Sequence, residues 1–219
     1  MRSSKALILD LDGTLTKGGE DRISRELRNM LVDFKNNGWI LILATGRDRN
    51  YLESREDLSG LFDGWVCEAG ISIYIPSTKT YRILVDEEWL SFINEVKNLE
   101  CVTPKENTVN LSCSKCIESI SIIASKHRVE FKILNNKGSL LLLPKNIDKS
   151  YGVNELLKLM TFEGFIAAVG DSEIDIEMLE RADFKAAPSN ADEKIKELVD
   201  YVSPKSDGEG VIDILSILR

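Results

Sequence analysis

Asp10 and Asp12 close a short apolar run, Ala6-Leu7-Ile8-Leu9, and are followed at once by Gly13 and Thr14. Four apolar residues in a row are too few for a helix and suit a strand covered on both faces, as in a parallel sheet. Residues two apart leave a strand on the same side, so both carboxylates gather at its C-terminal end. Gly13 lets the backbone depart sharply, and Thr14 offers a hydroxyl and an N–H to an anion. Two neighbouring carboxylates do not both ionise cheaply unless a cation lies between them or one keeps its proton. The pair therefore points to Mg²⁺ and phosphate chemistry. Standing alone, Asp-Leu-Asp-Gly would read equally well as a polar turn.

It does not stand alone. Thr45-Gly46-Arg47 ends a second apolar run, Trp39 to Ala44, and Asp171 and Asp175 follow a later one, Phe165 to Val169, through Gly170. Lys149 opens an amphipathic stretch, where a helix N-terminus would add backbone donors to its charge. Phosphoryl transfer through a carboxylate needs a nucleophile, a second acid or base, oxygen ligands for Mg²⁺, and a positive or N–H-rich cradle. Taken singly, Asp171 and Asp175 are acids favoured at a helix start, and Lys149 is a solvated lysine. Their joint placement at successive strand ends carries the chemical reading. His127 is the only histidine, so acid–base work falls chiefly to carboxylates or lysine.

The elements that must position these residues follow from periodicity. A link at Lys17-Gly18-Gly19-Glu20 leads to Ser24, which caps an amphipathic helix through Leu27, Leu31 and Phe34. A helix through Tyr51 to Arg55 and a strand at Trp65-Val66-Cys67 come next. Strand and helix alternating with short links predicts an α/β fold, a doubly wound parallel sheet whose ligands bind outside the carboxyl ends of the strands. From Ile71 the rhythm changes. Ile71 to Ile75 and Tyr81 to Val85 read as a hairpin, followed by a helix at Trp89 to Val96, a strand at Thr108 to Leu111 and a helix at Ile117 to Ala124. A second hairpin pairs Val129 to Ile133 with Ser139 to Leu143 across Asn135-Asn136-Lys137-Gly138. An inserted α+β unit is expected at 80–148, leaving 1–79 and 149–219 as the doubly wound core. The core resumes with a helix at Val153 to Met160 and the strand at Phe165, then a helix from Ile176, a short strand at Ala186-Ala187, and helices at Ile195 to Val199 and after Gly210.

Composition narrows the partners. A net charge of −8 over 219 residues, with no Lys/Arg cluster, argues against binding nucleic acid. No apolar run is long enough to span a membrane and the N-terminus shows no signal-peptide pattern, so no membrane partner and a cytoplasmic location are expected. A homodimer is compatible with the sequence, which contains nothing that requires one. The cysteines are Cys67, Cys101, Cys113 and Cys116, the last two spaced Cys-x-x-Cys. With one histidine and no second ligand pair, reduced and mostly buried thiols are expected rather than zinc or redox chemistry.

Asp10-Leu11-Asp12-Gly13-Thr14, Thr45-Gly46-Arg47, Lys149 and Gly170-Asp171-Ser172-x-x-Asp175 resemble, in order, the four motifs of the haloacid dehalogenase superfamily of Mg²⁺-dependent phosphatases. The resemblance implies that Asp10 attacks phosphorus and that Asp12 acts as general acid and base. It implies that Mg²⁺ is held by Asp10, the Asp12 carbonyl, Asp171 and Asp175, and that Thr45, Gly46, Lys149 and Asn190 bind a small phosphorylated metabolite. Asn190, Arg47 and Glu68 are placed near the site by topology alone. The insertion lies where the family carries its C2-type cap. Pro188-Ser189-Asn190-Ala191, Asp200-Tyr201-Val202 and Gly208-Glu209-Gly210-Val211 look most like archaeal phosphoglycolate phosphatases, which would make 2-phosphoglycolate the substrate. A sugar-phosphate phosphatase or a phosphosugar mutase would use the same chemistry, and a receiver-like phospho-accepting module would use a similar acid cluster. Two departures from the family stand out: Ile174 and Ala69 each occupy a position where Asn is usual. The first removes a polar group that would help orient a metal ligand.

Overall fold

The computed structural model describes residues 4–18, 21–136 and 138–219. Gly19 and Glu20 of the expected link, and Lys137 of the expected hairpin turn, lie outside them.

The chain begins with β1 (Ser4–Leu9), α1 (Arg25–Asn36), β2 (Trp39–Ala44), α2 (Arg49–Ser54) and β3 (Gly64–Cys67). It continues through β4 (Ser72–Ile75), β5 (Thr80–Ile83), α3 (Glu87–Val96), β6 (Val102–Pro104), β7 (Val109–Leu111) and α4 (Ile117–His127). Next come β8 (Phe131–Asn136), β9 (Ser139–Pro144), α5 (Lys149–Leu159) and β10 (Gly164–Val169). The last elements are α6 (Ile176–Glu180), β11 (Phe184–Ala187), α7 (Glu193–Leu198), β12 (Tyr201–Val202) and α8 (Asp207–Leu218). Four helices start at a Ser or Asp whose side chain accepts from the third residue on: Ser24, Asp48, Asp86 and Asp148. Each satisfies a backbone donor that the first turn leaves open.

The main sheet runs β12-β11-β10-β1-β2-β3-β4-β5. It is parallel from β12 to β3, and β4 and β5 extend it antiparallel. β1 lies near its centre, which is why Ala6 to Leu9 are all apolar and at most 1 % exposed. Successive side chains alternate between two layers. Leu7 and Leu9 join a core containing Leu27, Leu31 and Val211, and Ile8 joins another containing Val153, Leu156 and Met178. Helices thus cover both faces, as the doubly wound reading requires.

β6-β7-β9-β8 form a separate antiparallel sheet, and α3 and α4, packed on each other, share its apolar core. Its apolar core gathers Trp89, Phe92, Ile120 and Leu142. The sequence boundary at residue 80 cuts through the main sheet, because β5 hydrogen-bonds to β4 there. Alternation identifies a hairpin but not the sheet edge on which it docks.

The cysteines also differ from expectation. Cys101 and Cys116 are disulfide-paired, with Cα atoms 6.2 Å apart, while Cys67 is a free buried thiol and Cys113 a free, half-exposed one. Nothing local signals this proximity, since the residue before β6 and the turn before α4 meet only in the folded unit.

Candidate active site

Asp10 is the first residue past β1, fixed by its N–H on the Val169 carbonyl (3.0 Å). Lys149, the first residue of α5, is 1 % exposed and donates to Asp10 Oδ1 (2.5 Å) and to Asp175 Oδ1 (2.6 Å). The other Asp175 oxygen accepts from the backbone N–H groups of Asp171 (3.0 Å) and Ser172 (3.1 Å), so its carboxylate ties the loop after β10 to the lysine. Thr14 Oγ1 donates to Asp171 Oδ1 (2.8 Å), linking the loops after β1 and β10. Asp10, Asp171 and Asp175 each offer an oxygen within 4.8 Å of the others, and all three are buried.

Charge is unbalanced here. Among the described residues, three clustered carboxylates lie beside one ammonium, which bonds two of them, in a dry setting where uncompensated charge is expensive. Burial pushes the Asp10 carboxyl well above the usual carboxylate range; Lys149 pulls it back, and Asp175 and Asp171 push it further up. Burial works against the Lys149 ammonium, yet Asp10 and Asp175 more than offset it, and the lysine holds its proton more firmly than an ordinary one. A divalent cation on these hard oxygens would relieve the imbalance, and the donor set suits Mg²⁺.

Asp12 lies beyond Asp10 in a bidentate pair with Arg47, whose Nε and Nη2 donate to its two oxygens at 2.8 and 2.9 Å. The guanidinium stacks over Tyr51, 4.4 Å from the ring centroid. Sequence reasoning left Arg47 without a role. Its place directly after Thr45-Gly46 at a strand end was the available signal. Thr45 is buried with Oγ1 accepting from the Arg47 N–H (3.1 Å), and Gly46 is half-buried between them. Asn190 acts as a brace: Nδ2 donates to the Gly13 carbonyl (2.7 Å) and Oδ1 accepts from the Asp207 N–H (2.7 Å). Both ends of its amide hold the loop after β1 against the start of α8.

Behind the acids, Glu68, Ala69 and Gly70 form a left-handed turn with φ of 49°, 55° and 108°. A Cβ on Gly70 would sit 2.0 Å from the Asp148 carbonyl oxygen, immediately before Lys149. Gly70→Ala is therefore expected to lose about 3 kcal/mol of stability and to lower activity by displacing α5. Chemical denaturation and turnover of the same preparation check this. Ile174 and Ala69, the two departures noted above, are at most 1 % exposed and share the inserted unit's apolar core. β8 lies against the 173–175 turn, so burial against that unit explains an apolar residue at 174.

Comparison with known proteins agrees with this architecture. The family model for haloacid dehalogenase-like hydrolases matches residues 7–103 and 65–215. A phosphoglycolate phosphatase from Sulfurisphaera tokodaii is 33 % identical over 215 residues, covering 95 % of this chain and 92 % of that protein. Protein 0175 of Thermoplasma acidophilum shares the fold with a TM-score of 0.78 at 21 % identity, covering 99 % of this chain and 98 % of that one. A subclass IIB sugar phosphatase of the same superfamily also shares the fold, with a TM-score of 0.74 at 18 % identity over 98 % and 99 % of the two chains. On the extent of the family match and of the Sulfurisphaera alignment, the chain belongs to the haloacid dehalogenase-like hydrolases.

Proposed function

We propose that this chain is a Mg²⁺-dependent phosphomonoester hydrolase that works through a phosphorylated Asp10 and takes 2-phosphoglycolate as its substrate. The observation that carries the reading is the buried cluster of Asp10, Asp171 and Asp175, in which Lys149 donates to Asp10 and Asp175. The name of the Sulfurisphaera relative supports the substrate.

Asp10 has its carboxylate at a strand end, where an oxygen can attack phosphorus as the bond to the leaving alcohol breaks. Asp12 gives a proton to that departing oxygen and then takes one from the water that attacks the acyl phosphate. Arg47 orients Asp12 for both transfers through its two hydrogen bonds. Lys149 and the Thr45 hydroxyl meet the phosphoryl oxygens, whose charge spreads during transfer. Asp10, the Asp12 carbonyl and Asp171 would hold Mg²⁺, with Asp175 behind them fixing Lys149 and the loop. When bound, the ion supplies positive charge that lets nucleophile and phosphate approach.

Phosphate release from 2-phosphoglycolate, sugar phosphates and a chromogenic aryl phosphate, with Mg²⁺ and with chelator, tests the reading. Chelator-sensitive release that favours 2-phosphoglycolate is expected; release spread over sugar phosphates would remove the substrate, and none at all would remove the activity.

Metal binding also predicts a pH-dependent stabilisation. Because the folded-state pKa of Asp10 is raised, its contribution to metal-free stability is fully present below the ordinary carboxylate pKa and is lost as pH climbs through the folded value. An added divalent ion binds the ionised form and restores it. Mg²⁺ should therefore raise Tm more at pH 8 than at pH 5. An equal shift at both, or none, would contradict the cluster as its site.

A further inference from the structure

The turn between β6 and β7 brings residues of the inserted unit to the strand ends of the core. Glu106 Oε1 accepts from Arg49 Nη2 (3.1 Å), and Asn107 is buried on Glu68, its backbone N–H and Nδ2 donating to the two carboxylate oxygens at 2.7 and 2.8 Å. Glu68 is itself bound to the loop that bears the candidate site: its N–H donates to the Arg47 carbonyl, and the Ala69 N–H to the Thr45 carbonyl, each at 2.9 Å. Lys105 lies two residues before Asn107 in the same turn, which its N–H closes on the Thr108 carbonyl (2.9 Å). The docking of Glu106 and Asn107 thus ties the turn that carries Lys105 to Arg49 and to Glu68, the latter bonded in turn to the Arg47 carbonyl.

The acids around the Lys105 side chain are Asp48, Glu68 and Asp12, with Arg47 as a fellow cation. Each acid is already engaged. Asp48 caps α2 through the Tyr51 N–H (2.9 Å), Glu68 holds Asn107, and Asp12 holds Arg47. Lys105 is half-buried, and among the described residues its ammonium makes no hydrogen bond or ion pair. Burial pushes its pKa down, which is the cost of a cation kept partly dry without a direct partner.

The phosphoryl end of a substrate is met by Lys149 and the acid cluster deep in the core. On the phosphatase reading its leaving-group side would face the inserted unit, which brings Lys105 within electrostatic reach of Asp12 and Arg47. We propose that Lys105 is the specificity-determining residue of this site, its ammonium pairing with a carboxylate carried by the leaving-group side of the phosphoester. This rests on the phosphatase reading above and refines it: the favoured substrates are short phosphorylated acids. A neutral sugar or aryl leaving group has no anion to return, so the cost of holding Lys105 partly dry stays uncompensated with those substrates.

The test compares wild type with Lys105→Met and Lys105→Arg, using kcat/KM for 2-phosphoglycolate divided by kcat/KM for 4-nitrophenyl phosphate, all with Mg²⁺. In Lys105→Met the ratio should fall about 30-fold, chiefly through a higher KM for 2-phosphoglycolate, and Lys105→Arg should recover most of it. Proportional loss on both substrates would make Lys105 a structural residue and overturn the proposal, as would an unchanged ratio. Thermal unfolding of each variant separates a folding defect from a binding one. Should wild type itself prefer phosphoesters that lack a second anion, the substrate reading and this proposal fall together. A wild type selective for 2-phosphoglycolate whose Met variant stays equally selective removes Lys105 alone.

Discussion

Asp10→Asn is expected to lower turnover by on the order of 10⁴-fold while leaving the protein folded. The amide has nearly the volume of the carboxyl group and can still accept from Lys149 Nζ, which lies 2.5 Å from Asp10 Oδ1. It has no negative oxygen with which to attack phosphorus. The change also removes one of three crowded carboxylates, the one that burial already pushes toward its protonated form. Metal-free Asp10→Asn should consequently unfold at the same temperature as wild type or higher, and its response to Mg²⁺ should shrink. Steady-state rates with thermal unfolding in chelator and in Mg²⁺ check both halves. Retained turnover would refute the nucleophile, and a large drop in metal-free Tm would mean that Asp10 is chiefly structural.

Lys149→Met is expected to damage both activity and fold. The ammonium is 1 % exposed and bridges Asp10 and Asp175, so its removal leaves buried carboxylates with no counter-charge. Breaking a buried ion pair from one side costs about 3 kcal/mol or more. The loss should appear as a lower midpoint in chemical denaturation, softened by added Mg²⁺, which supplies positive charge to the same oxygens. Turnover should fall by about 10³-fold, with KM rising as well as kcat falling, because the lysine meets phosphate in both ground and transition states. If stability alone falls, Lys149 holds the loops and does not bind substrate.

How much of this was legible in the sequence depends on the range of the interaction. Ala6 to Leu9 announced a central strand because burial on both faces leaves no polar position, and the acids beyond it were read from local spacing. Lys149 was found because an amphipathic apolar pattern opens there; the structure shows that the same helix is capped by Asp148. The Arg47–Asp12 pair was out of reach, since nothing local says that two loops will exchange two hydrogen bonds. Asn107 on Glu68 joins an inserted unit to the core across distant chain positions and leaves no periodic trace. The same limit put the unit's boundary at 80 rather than beyond β5, and left Cys101 without its partner Cys116. Ile174 looked like a lost polar group only while its surroundings were unknown; against β8 it is core.

Covalent phosphorylation of Asp10 is the central step of the proposed reaction. Mixing the protein with 2-phosphoglycolate and Mg²⁺, quenching in acid within the first turnover, and mapping the phosphoryl group by peptide mass spectrometry would measure it directly. The phosphoryl group should be found on Asp10 in wild type, be absent from Asp10→Asn, and disappear at the rate of phosphate release. Phosphate released with no phosphoryl group passing through Asp10, or one found on a different residue, would contradict the account.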